Sequence, residues 1–295
     1  MAGSRRPEPL RKPIERQPLP PAKPMVSVFM PARNEEETIE RNLAVLREAH
    51  SSGQVNHSVI VIDGPTDSTR EKILDALQLA RQDREKLSGP IRATVALPNG
   101  FILINHPDSL GKGRSFMEAV MTLKGRTSHF SNPDSVLVNL DSDAIDLTSE
   151  HIVGIAQELR RQGHPMVLGV HKEEIGTERR HFVMASPDST GYRAISAGTL
   201  FPLLNFDERW VRLLDRNLNL DHTLNILIPL PAGFRRFNVA PFTLHHLRPF
   251  RNLGIDGQQR ESRRVSERVD SVRFADPNDV AFKEKLGRLN SSRKK

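Results

Sequence analysis

Apolar and polar positions along this chain fall into blocks that switch between two periods. Met25-Val-Ser-Val-Phe-Met30, Ser58-Val-Ile-Val-Ile-Asp-Gly64, Gly100-Phe-Ile-Leu-Ile-Asn105, Val136-Leu-Val-Asn-Leu140 and Met166-Val-Leu-Gly-Val170 are short apolar runs, most of them rich in β-branched residues. Such runs are the mark of strands buried on both faces of a parallel sheet. Helical spacing fills the intervals. Asn34 serves as an N-cap, Glu35, Glu36 and Glu37 suit the positive end of a helix, and Ile39, Leu43 and Leu46 follow on one face. Thr66-Asp-Ser-Thr69 opens a second helix to about Gln82, Phe116, Val120 and Leu123 mark a third, and residues 149–162 form a fourth. Alternation of this kind predicts an α/β doubly wound sheet, in which ligands bind at the carboxyl ends of the strands.

Beyond residue 171 the pattern loosens. It predicts a strand at His181-Phe-Val-Met184, a Gly-rich link over 191–198, a helix from Asp207 to about Asn217, a helix or strand opening at Asp221, and a last strand at Val239-Ala-Pro-Phe-Thr-Leu-His-His246. Residues 1–24 carry seven prolines and no periodicity, which reads as an extended or disordered arm. Charge dominates after about residue 255, so 256–295 reads as a charged tail. The expected domain is therefore 25–255, with a first half over 25–145 and a second over 146–255.

Composition narrows the chemistry. The 295 residues include no cysteine, so disulfides and thiolate catalysis are excluded and any metal must be held by oxygen and nitrogen. No apolar run approaches the roughly 18 residues of a membrane helix, and no secretory signal is visible, so a soluble, cytoplasmic protein is expected. Lys and Arg outnumber Asp and Glu by 43 to 36, giving a net charge of +7 and a pI near 10.0. Much of the excess lies in the two ends. Those arms are either plain solvated segments or a peripheral contact with acidic lipid at the inner face of the membrane, or with nucleic acid. The single Trp and single Tyr leave little for the stacking platforms of single-strand binders.

Three predicted strand ends carry chemistry. Val136–Leu140 runs into Asp141-Ser-Asp143, two carboxylates that can converge on one divalent cation through oxygen, or else cap the next segment. Asp63 ends the second strand. Gly111-Lys-Gly113 gives a flexible cationic helix start suited to phosphate oxygens, although the same tripeptide is common in ordinary loops.

Taken together and in this order, these elements resemble the GT-A glycosyltransferases, above all the large family two of that class, over about residues 25–175. Pro31-Ala-Arg-Asn-Glu-Glu36 resembles its P-x-x-N-E-E pattern, and Asp63-Gly-Pro-Thr-Asp-Ser-Thr69 its D-D-G-S-T-D-G-T turn. Gly111–Gly113 is similar to its G-K-G helix start and Asp141-Ser-Asp143 to its metal motif. The resemblance implies a GT-A (Rossmann-like) doubly wound mixed sheet whose C-terminal half binds the acceptor. It also implies a nucleotide-sugar donor, Mn²⁺ or Mg²⁺ as cofactor, and hexosyl transfer. Pro31, Ala32 and Glu35 would line the nucleotide pocket, Lys112 would lie near the diphosphate, Asp141 would face ribose or metal, and Asp143 would be the main metal ligand. Ile62 stands where the family usually has the first Asp of its pair, so recognition of the base would rest on Asp63 alone.

The distal segment His245-His-Leu-Arg-Pro-Phe-Arg-Asn-Leu-Gly254 resembles the glucosyl-3-phosphoglycerate synthases, a retaining group in which a histidine completes the metal site. His245 would be that ligand, and in a strand only one of His245 and His246 can face the metal. Asp221 occupies about the place of the acceptor-activating acid of inverting members, with capping of its own segment as the alternative. Arg193 either binds an anionic acceptor or pairs with Asp188. Retention and inversion both stay open, and the acceptor is a small phosphorylated acid, a lipid phosphate or a glycan. A nucleotidyltransferase, a noncatalytic basic binder and a GT-A scaffold that has lost activity are the competing readings.

Overall fold

The computed structural model describes residues 23–163, 165–175, 181–184, 191–206 and 239–246, together with Leu220, Leu224 and Ile228. β1 (Val26–Ala32) lies parallel to β2 (His57–Asp63) on one side and to β5 (Val136–Asn139) on the other. β2 continues into parallel pairing with β4 (Phe101–His106), and antiparallel β3 (Ala93–Ala96) closes that edge. On the far side, β8 (Arg193–Ser196) runs antiparallel to β5 and to β6 (Met166–Ile175). β7 (His181–Met184) and β9 (Val239–His246) complete a mixed sheet of order β3-β4-β2-β1-β5-β8-β6-β7, with β9 on β6. Leu168 pairs with Arg193 and with Val239, and Lys172 with Met184 and with His245. β6 therefore carries β9 along one edge, and β8 followed by β7 along the other.

Alternation along the strands divides the core in two. Val28, Met30, Ile60, Ile62, Val136 and Val138 meet α1 (Ile39–Ser51), α2 (Thr69–Ala76) and α5 (Ser149–Gln162) on one face. Phe29, Val59, Val61, Ile102, Ile104 and Leu137 meet α4 (Lys112–Arg126) on the other. Burial of this kind contributes about 1.5–3 kcal/mol per large apolar side chain. With helices on both faces of the central strands, the strand ends remain open for chemistry among the described residues.

Several boundaries differ from the sequence reading. The helix expected from Thr66 to Gln82 is two helices, α2 and α3 (Arg81–Ser88), because Gln78 adopts a positive φ of 52°. The kink lets Leu77 and Leu79 both tuck into the core. Asn34 does not cap α1: Thr38 stands at that position, and Asn34 has a left-handed φ of 56°. The Gly-rich link over 191–198 holds β8 and the start of α6 (Ala197–Phe206), since the free edge of β5 supplies β8 with a partner. β3 had no counterpart in the periodicity. The boundaries of α5, β7 and β9 are as expected. The basic arm up to residue 22, the helix expected over 207–217, Asp221 and the tail lie outside the described residues.

Candidate active site

The carboxyl ends of β1, β2, β4 and β5 lie side by side, and their connecting loops are tied to one another. After β1, the Asn34 side chain accepts from the Thr66 N–H at 2.8 Å, and the Glu35 N–H donates to Thr69 Oγ1 at 2.7 Å. Glu36 accepts from the Ser68 hydroxyl at 2.5 Å, and the Lys72 ammonium donates to the Glu36 carbonyl at 2.7 Å. Asp67 accepts from the Thr69 N–H and hydroxyl at 3.0 and 2.6 Å. The two loops that flank a nucleotide pocket in the resemblance are thus one hydrogen-bonded unit.

The acidic turn after β5 is built around its middle residue. The buried Ser142 donates its hydroxyl to the Pro31 carbonyl at 2.6 Å, and its own carbonyl accepts from Thr38 Oγ1 at 2.6 Å and Asn42 Nδ2 at 2.8 Å. Fixing Ser142 inward places Asp141 and Asp143 on either side of it, both half-buried. Behind Asp141 stands Gly191, where a Cβ would come within 1.9 Å of the carboxylate. In front, the Lys112 ammonium at the start of α4 pairs with Asp141 Oδ1. Glu35 shares this acidic field. Burial, then Asp143, Asp141, Asp67 and Glu37, push its carboxyl up to about 9.

Asp63, at the end of β2, is held by groups of the chain itself. It is 4% exposed. Its Oδ1 accepts from the Leu110 N–H at 2.7 Å and faces His106 Nδ1 at 2.9 Å, while Oδ2 accepts from Ser109 Oγ at 2.8 Å and the Gly111 N–H at 3.0 Å. A carboxylate offers about four lone-pair positions, and all four are filled within the chain. Burial raises its pKa, but the bonds from His106, Leu110, Ser109 and Gly111 outweigh this and hold it below the ordinary range. Asp63 therefore anchors the loop before α4. Gly64 makes the close approach feasible: its φ is +56°, and a Cβ there would lie 2.3 Å from the Ser109 nitrogen. Sequence reasoning missed His106 and Ser109, whose only sequence signal is a His and a Ser between a strand and Gly-Lys-Gly.

Of the other expected residues, Pro31 contributes its carbonyl to the Ser142 anchor. Ala32 is fully buried in the core. Arg193 belongs to β8 and is fully buried, with Nη1 3.9 Å from Met166 Sδ; it does not sit in a loop. His245 lies on β9 at the register position of Lys172. Among the described residues, no group of three or more His, Asp or Glu side chains is placed to hold a metal. Among them, no helix is long and apolar enough to cross a membrane.

A mixed sheet with a parallel centre, helices on both faces and acids at successive strand ends is the GT-A fold of nucleotide-sugar-dependent glycosyltransferases. The profile of the family described as Glycosyl transferase family 2 matches residues 27–236, and the chain belongs to that family. No curated protein matches it in sequence. Among solved structures, it is similar to glucosyl-3-phosphoglycerate synthase from Mycobacterium tuberculosis in complex with Mn²⁺ and UDP-glucose. That similarity has 18% identity and a TM-score of 0.45, and covers 84% of this chain and 78% of that one. The same enzyme with Mn²⁺, UDP and phosphoglyceric acid gives 18%, 0.44, 84% and 78%. With Mn²⁺, UDP-glucose and glycerol 3-phosphate the values are 17%, 0.44, 84% and 80%.

Proposed function

We propose that this glycosyltransferase transfers a sugar from a nucleoside diphosphate donor with the help of a divalent cation, and that its acceptor is anionic. The observation that carries this reading is the Ser142 anchor, which presents Asp141 and Asp143 together at the end of β5 beside Lys112. The donor set suits a hard cation. Two carboxylates supply oxygen ligands, and water and diphosphate oxygens can fill the rest of the shell of Mg²⁺ or Mn²⁺. Burial is the first cause that lifts Glu35, and the second, the negative charge of Asp143 and Asp141, is a surplus that such an ion relieves. Asp143 is the main ligand in this proposal, Asp141 its neighbour, and His245 on β9 a third.

When bound, the cation supplies charge neutralisation to the departing diphosphate. Lys112, at the first position of α4, adds a second positive charge on the same side, and the positive end of the helix dipole favours phosphate oxygens. The hydrogen-bonded loops 34–36 and 66–69 hold the nucleoside, with Glu35, Pro31 and Ala32 shaping that end of the pocket. Base selection then falls to pocket shape and main-chain groups, since Asp63 is engaged elsewhere. The guanidinium of Arg193 is assigned in this proposal to a phosphate or carboxylate of the acceptor. Asp221 is the acceptor-activating acid of this scheme.

The test is a thermal-shift panel of UDP, GDP, ADP and TDP with and without Mn²⁺, on the wild type and on Asp143→Asn. Native-state binding raises the apparent melting temperature. One nucleotide should stabilise the wild type only with metal, and the variant should lose the response. No shift with any nucleotide in the folded wild type would sink the reading.

A further inference from the structure

The last residue of β4, His106, is fully buried between two carboxylates. Its Nδ1 lies 2.9 Å from Asp63 Oδ1, and its Nε2 lies 2.7 Å from Glu118 Oε2 on α4. Carboxylates only accept, so both ring nitrogens must donate, and the ring that fits this geometry is the doubly protonated imidazolium. The charged groups facing it are Asp63 from β2 and Glu118 from α4. Beyond Glu118 stand Arg92, 3.5 Å away before β3, and Arg114 on α4. Burial lowers the pKa of His106, but the hydrogen bonds to Asp63 and Glu118 outweigh it and hold the ring above the ordinary histidine range.

Each partner of this ring governs a different part of the α4 start. Asp63 binds the N–H groups of Leu110 and Gly111, the two residues before Lys112. Glu118 lies further along α4, in the second turn. One cation thus ties β2 to the loop in front of Lys112 and to the helix that carries it. We infer that His106 is a positioning residue for glycosyl transfer: as an imidazolium clamped by Asp63 and Glu118, it sets the Leu110–Lys112 segment so that Lys112 faces Asp141 and the donor diphosphate. The donor part of this inference rests on the proposed function above. The clamp itself does not.

The sign of the pH effect follows from a raised pKa. The clamp is complete below the unfolded-state histidine pKa and is lost as pH rises through the higher folded-state value. With Mn²⁺ and the nucleoside diphosphate that binds best in the thermal-shift panel, wild-type affinity should weaken as pH rises through that value. His106→Gln should bind about tenfold more weakly at about pH 6.5, the loss of one charge-assisted hydrogen bond, and show no such pH dependence. A purely structural residue would lower the melting temperature but leave affinity and its pH dependence at 25 °C in place, and that result would overturn the inference. Glu118→Gln, which removes one carboxylate and keeps the ring, should give a smaller loss in the same direction and serves if His106→Gln does not fold.

Side-chain ¹⁵N NMR of labelled histidine separates the clamp from the donor reading. Both His106 nitrogens should be protonated at pH 7, and a neutral tautomer there would overturn the clamp. Should the wild type bind no nucleoside diphosphate at all, the donor reading fails by itself. Amide exchange at Leu110 and Gly111 then decides the clamp: faster exchange in His106→Gln supports it, and unchanged exchange removes it.

Discussion

A Cβ on Gly191 would stand 1.9 Å from Oδ2 of Asp141. Two residues before β8 the chain is thus bare because the acid after β5 occupies the space a side chain would need. Gly191→Ala should push Asp141 off its position and weaken Mn²⁺-dependent nucleotide binding by about tenfold or more, as loss of support behind a metal ligand does. Titration calorimetry on the folded variant reads this directly, and unchanged affinity would show that Asp141 needs no such backing.

Ser142→Ala removes the hydroxyl that reaches the Pro31 carbonyl. The part-buried acceptor then loses this partner, and the expected cost is about 1–3 kcal/mol in urea unfolding. Turnover should fall by more than the small unfolded fraction accounts for, because Asp141 and Asp143 take their direction from this residue.

Restoring the family's acidic residue at position 62 should not improve donor binding. Ile62 is fully buried in the core shared with α1 and α2. Ile62→Asp would bury a carboxylate with no partner built for it, a loss of several kcal/mol or failure to fold. A variant with wild-type stability would show instead that this strand end opens to solvent.

His129 gives a pH dependence opposite in sign to that of His106. Fully buried against Ser27 Oγ at 2.9 Å, its ring is pushed down to about 4, with burial the main cause. A lowered histidine pKa means that the unfolded chain takes up a proton the folded chain refuses. The stability it confers is full above about pH 6.5 and drains away as pH falls toward 4, by up to about 1.4 kcal/mol per unit. His129→Gln, compared with the wild type by urea unfolding at several pH values, should show a shallower acid slope. Equal slopes would mean that the ring is protonated in place.

The parallel centre of the sheet was legible because β1, β2, β4 and β5 are each buried on both faces and so written as continuous apolar runs. Helix α5 was legible in full because its ends are local: Thr148 and His151 cap one end reciprocally, and Gly163 closes the other at φ 64°. β8 was not legible, since Arg-Ala-Ile-Ser has no pattern of its own and becomes a strand only through the edge of β5. Asp63 was read as an acid at a ligand edge, which it is by position. Its engagement depends on the path of residues 106–111, which no local pattern encodes. Asn34 looked like a cap for the same reason: its partner, Thr66, is 32 residues away.

The place of β1 in the strand order has a consequence for the birth of the chain. Among the described strands β1 leaves the ribosome first, yet one of its two neighbours is β5, and Met25 waits for a hydrogen bond to Ser135, 110 residues downstream. Until β5 has emerged, the middle of the sheet has an open seam, lined with main-chain donors and acceptors and flanked by Val26, Val28 and Met30. Closure of that seam is a long-range step and therefore a slow one. Chains cut short before residue 136 should be insoluble, while those extending past α5 should be the first to gain protease resistance.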